Sequence, residues 1–222
     1  MVEEKDAELI LETLRPLYGE GVYPGRSDRM ERPEWMDGPF QVLLATVLSQ
    51  RTRDENTRMA ADRLFSRFPG PADLNGADVK EIESLIRNAG FPVQKAKAIK
   101  DIARIVVEEH SGDLPSDMDV LLSLPMVGRK TANCVRAYAF GIPAICVDTH
   151  VHRISNLIGL VDSKDPDGTE DQLMKVVPEH YWKDINALLV RHGQVICQPR
   201  RPRCAECPIS NHCDHGSLAD RK

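Results

Sequence analysis

Apolar residues recur at helical spacing along most of this sequence. Leu9, Ile10, Leu14 and Leu17 form one stripe near the N-terminus. Asp78 with Glu81 has the form of a capping box ahead of Val79, Ile82, Leu85 and Ile86, and Gly90 is expected to close that helix. Ala96, Ile99, Ile102, Ala103 and Val106 line a further stripe that stops at Ser111-Gly112. A helix opening at Arg129 is predicted to end at Gly141, with Pro143 two residues beyond. Thr169 with Gln172 gives a second capping-box pattern, and Leu188, Leu189 and Ile196 fall on a last long helix. Two stretches read as loops: Gly19 to Pro39, rich in Gly, Pro and charge, and Val161 to Gly168. Alternating strand patterns are missing, so the fold class is all-α. If the N-terminal helix packs with the C-terminal helices, the chain reads as three pieces. These are an N-terminal helix and loop (1–29), an inserted helical domain (30–142) and a C-terminal helical domain (143–222).

One stretch interrupts this regularity with chemistry. Leu124-Pro125-Met126-Val127-Gly128-Arg129-Lys130-Thr131-Ala132 places a tight turn before an Ala-rich helix, with Lys130 in the first turn. Unpaired amides and the positive end of the helix dipole attract phosphate to such a place. Val147-Asp148-Thr149-His150 then supplies a carboxylate at the start of the next helix. A lysine nucleophile with an aspartate beside it suits covalent chemistry on a nucleic acid. An aspartate before Thr149-His150 also has the form of a helix N-cap.

The net charge of −5 opposes a nucleic-acid partner at first sight, but its distribution reverses that impression. Residues 1–40 hold ten acids against five bases, and 154–190 hold seven against three. Residues 120–153 carry Arg129, Lys130, Arg136 and Arg153 against Asp148 alone, and 191–222 carry six bases against three acids. The motif-bearing segments are basic. The longest run without charged or polar side chains, Ala137 to Val147, is eleven residues, far short of the about 20 that span a bilayer. The acidic N-terminus lacks a signal-peptide pattern, so an intracellular protein without a membrane partner is expected.

Four of the six cysteines fall near the end, at Cys197, Cys204, Cys207 and Cys213. In an intracellular chain, closely spaced thiols hold a metal more often than disulfides. Zinc suits four cysteines, although it usually takes two short C-x2-C pairs and this run has one; a [4Fe–4S] cluster suits them too. Cys134 and Cys146 read as small buried hydrophobes.

Together the hairpin, the Asp148 segment and the cysteine run resemble the endonuclease III branch of the helix-hairpin-helix DNA glycosylases. The resemblance implies a two-lobed fold, with an inserted helical barrel domain carrying the hairpin and a helical iron–sulfur cluster domain. In that family a cleft takes a bent duplex with one nucleotide flipped out. It implies a [4Fe–4S] cluster on Cys197, Cys204, Cys207 and Cys213, damaged double-stranded DNA as partner, and a monomer. By position, Lys130 resembles the amine nucleophile and Asp148 the essential acid. Leu48-Ser49-Gln50-Arg51-Thr52 is similar to the stretch whose glutamine, here Gln50, enters the space left by the flipped base. Gly90-Phe91-Pro92-Val93-Gln94-Lys95-Ala96 is similar to the wedge loop, which makes Phe91 the candidate intercalating side chain. His150 matches a histidine two residues after the aspartate, and Gly128 and Arg129 sit where the hairpin meets phosphate. Arg200, Arg201 and Arg203 lie in the cysteine loop and read as phosphate contacts, since they give an otherwise acidic lobe a basic edge. Two positions depart from the family pattern: Met126 stands where a glycine is usual in the hairpin, and Phe91 where an aliphatic wedge is common.

The implied activity is base-excision repair by a bifunctional enzyme. It would remove oxidised pyrimidines such as thymine glycol and cleave the abasic site by Schiff-base β-elimination. The competing readings are a mismatch-specific glycosylase, a non-catalytic iron–sulfur DNA-binding or redox module, and a zinc-stapled DNA-binding protein.

Overall fold

The computed structural model describes residues 6–18 and 38–219, and every regular element among them is helical. The chain divides into two compact units, one of Gly25–Ile142 and the other of Met1–Pro24 with Pro143–Lys222. The terminal unit begins with α1 (Ala7–Tyr18). The inserted unit holds α2 (Pro39–Ser49), α3 (Asp54–Arg67), α4 (Pro71–Gly76), α5 (Val79–Leu85), α6 (Pro92–His110), α7 (Met118–Ser123) and α8 (Arg129–Ala139). The terminal unit resumes with α9 (Thr149–Ile158), α10 (Pro166–Val176), α11 (Trp182–Val195) and α12 (Asp214–Ala219). Of the loop expected over Gly19 to Pro39, residues 19–37 lie outside the described residues, and Pro39 opens α2.

The inserted unit packs around α2, whose sequence PFQVLLATVLS is apolar on nearly every side. A helix of that kind is stable only when surrounded. Phe40, Leu43, Leu44 and Leu48 are buried against Leu64, Ile82, Ile86, Ile99, Ile102 and Val135. The α6 stripe predicted from Ala96 to Val106 is completely buried. Its stop also appears where expected, with Ser111 in the left-handed region at φ 56°.

In the terminal unit Ile10, Leu11 and Leu14 of α1 join Ile145, Val151, Ile154, Leu173, Leu188 and Leu189 in a separate core. The buried face of α1 therefore differs from the predicted stripe. Leu9 and Leu17 are 40% and 56% exposed, and Ala7 and Leu11 take their places. The i, i+3, i+4, i+7 set from Ala7 gives a single continuous face, whereas Leu9 and Leu17 lie off it.

Two predicted helix boundaries change as well. The second capping box is absent: α10 starts earlier, at Pro166, and Asp165 caps it by accepting from Gly168 N at 2.8 Å. Proline at the first helical position and aspartate before it form a stronger start than Thr169. Thr169 lies inside the helix, and Gln172 bonds both the N–H and the carbonyl of Asp162. The loop from Val161 accordingly ends before Pro166. Asp78 does cap α5, through Lys80 N, but Glu81 pairs with Arg67 at 2.8 Å. Finally, α5 closes at Leu85 and a turn carries the chain on to Gly90.

Candidate active site

In the inserted unit the hairpin before α8 is made without glycine at its tightest residue. Met126 adopts φ 61°, the left-handed region, and its side chain is exposed. Val127 N closes the turn onto Leu124 O at 3.1 Å. Gly128, in extended conformation, is the N-cap of α8, and no side chain caps the helix. Arg129 and Lys130 occupy its first turn, both half-buried. A first turn of this kind presents amide N–H groups and the positive dipole end to an anion.

Gln50 follows α2 at its C-cap. Its carboxamide does not hang in solvent: Nε2 donates to Met126 O at 2.9 Å and to Thr131 Oγ1 at 3.2 Å. The Gln50 turn and the hairpin are thus joined through one side chain. Arg51, next in sequence, is also left-handed, at φ 49°. Its guanidinium lies 5.7 Å from the centroid of the Phe91 ring, within cation–π range. Phe91 is 50% exposed and is itself left-handed, at φ 57°. Gly90 precedes it because nothing larger fits: a Cβ there would stand 2.3 Å from Arg51 O.

Beneath these two loops lies Lys95, whose importance the motif comparison did not predict. It is fully buried, and its ammonium donates to Leu48 O at 2.8 Å, Gln50 O at 2.6 Å and Thr52 Oγ1 at 2.9 Å. Burial pulls its pKa down to about 8. The signal was present in the sequence, because Lys95 stands four residues before Ile99 and seven before Ile102, on the apolar stripe of α6.

In the terminal unit Asp148 is the N-cap of α9. Its Oδ1 accepts from His150 N at 2.9 Å and Val151 N at 2.8 Å, and no bond to Oδ2 occurs among the described residues. One carboxylate oxygen is thus spent on the helix start. The His150 side chain packs against α11, where a Cβ on Gly193 would meet Nδ1 at 2.3 Å and Ile154 Cδ1 at 2.9 Å. His150 Nδ1 is buried without a hydrogen-bond partner among the described residues.

Cys197, Cys204, Cys207 and Cys213 are half-buried and line one cavity, walled by Ile154, Ile158, Ile196 and Ile209. Burial pushes the Cys207 and Cys213 thiols up, and the neighbouring cysteines add to it. Among the described residues, no three or more His, Cys, Asp or Glu are grouped so as to hold a single metal ion. Nitrogen atoms meet the sulfurs from several sides. Arg153 Nη1 is 3.6 Å from Cys197 Sγ, Gly216 N is 3.4 Å from Cys213 Sγ, and His192 Nε2 is 3.6 Å from Cys207 Sγ. Burial, with the Arg153 charge, holds the His192 pKa down near 4, so its ring is neutral. Tyr18 Oη lies 3.0 Å from its Nδ1, so the ring spans from Tyr18 to Cys207. Arg200 and Arg201 are exposed on the cysteine loop, while Arg203 is tied to Glu206 and to Val195 O. Cys134 and Cys146 are buried.

Comparisons with known proteins converge on one group. A family model described as HhH-GPD superfamily base excision DNA repair protein matches residues 44–179. The chain is 48% identical over 176 residues to endonuclease III of Thermotoga maritima, covering 79% of this chain and 83% of that one. It superposes on a trapped endonuclease III–DNA covalent intermediate with a TM-score of 0.86, at 31% identity and with both chains fully covered. A thermostable thymine-DNA glycosylase gives a TM-score of 0.80 at 25% identity, covering 95% of this chain and 96% of that one. No helix among the described residues is long and apolar enough to cross a membrane.

Proposed function

The chain belongs to the HhH-GPD superfamily of base excision DNA repair proteins, in its endonuclease III family, and from that premise we propose how its residues divide the work. The protein is a DNA glycosylase and AP lyase that acts on damaged duplex DNA. Its substrates are oxidised pyrimidines, thymine glycol among them.

A base within the stack is out of reach, so the nucleotide must leave the helix at a cost of a few kcal/mol. Gln50 and Phe91 fill the space it vacates, a role that suits the exposure of Phe91 and its position beside the Gln50 turn. Amides at Gly128 and Arg129 hold the backbone phosphate at the start of α8. Arg200 and Arg201 add phosphate contacts from the cysteine loop, and His150 supports the DNA-facing start of α9.

Lys130, as the neutral amine, forms a bond from Nζ to the sugar C1′ while the glycosidic bond breaks. The bonding pair leaves with the base, which takes up a proton. Loss of a proton from nitrogen and opening of the sugar ring give the Schiff base. Removal of a C2′ proton then expels the 3′ phosphate, and water releases the lysine. Positive charge builds on the sugar as the base departs, and the Asp148 carboxylate stabilises it through the oxygen not used in capping. A carboxylate favours the ammonium form of a nearby lysine, so this role fits better than activation of the amine.

The residues of the cysteine loop fit a [4Fe–4S] cluster. They offer four thiolates in an apolar cavity, with N–H donors from Arg153 and Gly216 around the sulfurs and His192 Nε2 beside Cys207. When bound, the cluster supplies iron–thiolate bonds that cross-link the loop between α11 and α12. Its part is to shape the basic loop that carries Arg200 and Arg201. A purified protein is expected to be yellow-brown, and a colourless, zinc-containing preparation would overturn this assignment.

The observation that carries the reading is Lys130 in the first turn of α8, behind the Met126–Gly128 hairpin. Borohydride reduction in the presence of a thymine-glycol duplex should leave a covalent protein–DNA adduct, absent in Lys130→Ala. No adduct from the wild type would overturn the lyase mechanism. The likeness to a thymine-DNA glycosylase favours a second reading, mismatch repair. Base release from a G·T duplex but not from a thymine-glycol duplex would establish it instead.

A further inference from the structure

Among the described residues of the inserted unit, Lys95 is the buried cation that the proposed chemistry leaves unused. Its three ammonium protons have three oxygen acceptors, and a neutral amine could serve only two of them. The acceptors are informative: Leu48 O, Gln50 O and Thr52 Oγ1 all belong to the turn that carries Gln50. The main chain of Lys95 belongs to the other loop, since its N–H donates to Phe91 O at 3.1 Å, the first turn of α6. Thr52 Oγ1 completes a ring by also accepting from Gly90 N at 3.0 Å and donating to Gln50 O at 3.1 Å. The close approach of Gly90 to Arg51 O and the Arg51–Phe91 contact seal the same junction from outside. Both Arg51 and Phe91 are held left-handed there, a backbone state that persists only when its surroundings enforce it.

We propose that Lys95 is a positioning residue that locks the Gln50 turn and the Phe91 loop into one preformed probe, so that both side chains enter the duplex together. The inference rests on the intercalating roles proposed above for Gln50 and Phe91. Lys95 does not touch the reacting sugar. It acts by sparing the two loops the ordering that insertion would otherwise require.

The test separates insertion from chemistry. Lys95→Met removes the ammonium and keeps most of the side-chain volume. Opening is followed by the fluorescence of 2-aminopurine placed opposite thymine glycol in a duplex. Schiff-base formation is followed in parallel by borohydride trapping on a single-stranded abasic oligonucleotide, which needs no insertion. The expected result is an opening rate lowered by about ten- to a hundredfold, with trapping on the single strand within about twofold of wild type. A parallel loss on both substrates would mark Lys95 as a general structural residue and overturn the proposal, as would an unchanged opening rate. If Lys95→Met does not fold, Thr52→Val, which removes the hydroxyl shared by Lys95 and Gly90, should show the same split at about threefold. A wild type that traps on neither substrate would instead overturn the lyase reading, a different failure from an unaltered Lys95 variant.

Discussion

Gln50 Nε2 donates to the carbonyl of Met126 at 2.9 Å, so a side chain from the end of α2 braces the one hairpin residue that is left-handed without being glycine. The bond runs between two motifs that are 76 residues apart in sequence. It explains how the turn forms with methionine at its tightest point. A left-handed conformation costs an L-residue roughly 1–2 kcal/mol, and a carbonyl that is aimed and satisfied recovers part of it.

Met126→Gly is therefore expected to stabilise the protein by about 0.5–1 kcal/mol. The methionine side chain is exposed, so its removal forfeits little packing. Urea unfolding would read the change as a higher midpoint with an unaltered slope. Base release should be unaffected, because the Met126 carbonyl still accepts from Gln50. A lower midpoint would mean that the side chain contributes packing which its exposure does not reveal.

Asp148 offers a way to separate a helix cap from a catalyst. Asparagine caps about as well as aspartate, so Asp148→Asn should hold stability within about 0.5 kcal/mol. Asp148→Ala should cost about 1 kcal/mol, since His150 N and Val151 N lose their acceptor. Both variants lose the carboxylate charge, and base release should fall by about a hundredfold or more in each. Equal activity of wild type and Asp148→Asn would reduce the residue to a cap.

The contrast between these residues shows what a sequence conveys about such a fold. The stripe of α6 was legible because five apolar residues at helical spacing can be satisfied only by one buried face. Asp148 was legible as a cap because capping is local. The α1 stripe misled because Leu9 and Leu17 are leucines on the wrong side of a helix whose own partners, Ile145 and Leu188, lie more than 130 residues away. Asp165-Pro166 overrode Thr169 as a helix start through a local rule that the capping-box pattern obscured. Lys95 and His192 were missed for a shared reason. Each takes its meaning from acceptors or donors contributed by distant main chain or by a sulfur, and spacing alone does not reveal such partners.

Gly193 should tolerate no side chain. A Cβ would stand 2.3 Å from His150 Nδ1 and 2.9 Å from Ile154 Cδ1, both on α9. Gly193→Ala has to push the two helices apart or turn the imidazole, at about 1–3 kcal/mol. Thermal unfolding should show the loss. Base release should fall along with it, since α9 begins at Asp148. An alanine variant of wild-type stability would show that α9 and α11 can separate without penalty.

Lys95 predicts how stability responds to alkali. Its pKa in the folded protein is about 8, against 10.5 for an ordinary lysine, so between these values the unfolded chain binds the proton more tightly. Stability rises with pH wherever the unfolded state holds more protons. Below pH 8 both states carry the ammonium and the full cost of burying it is present; that cost is relieved as pH climbs through 8 toward 10.5. The three oxygen acceptors favour the ammonium and temper the effect, leaving a gain of about 1–3 kcal/mol across the window. Lys95→Met has no such proton to lose, so the difference in unfolding free energy between it and wild type should shift steadily in favour of wild type from pH 7.5 to 9.5 (roughly the span over which the buried amine titrates). Urea titrations at half-unit intervals would measure it, and a difference that stays flat would show that Lys95 keeps its proton throughout, with its three acceptors outweighing burial.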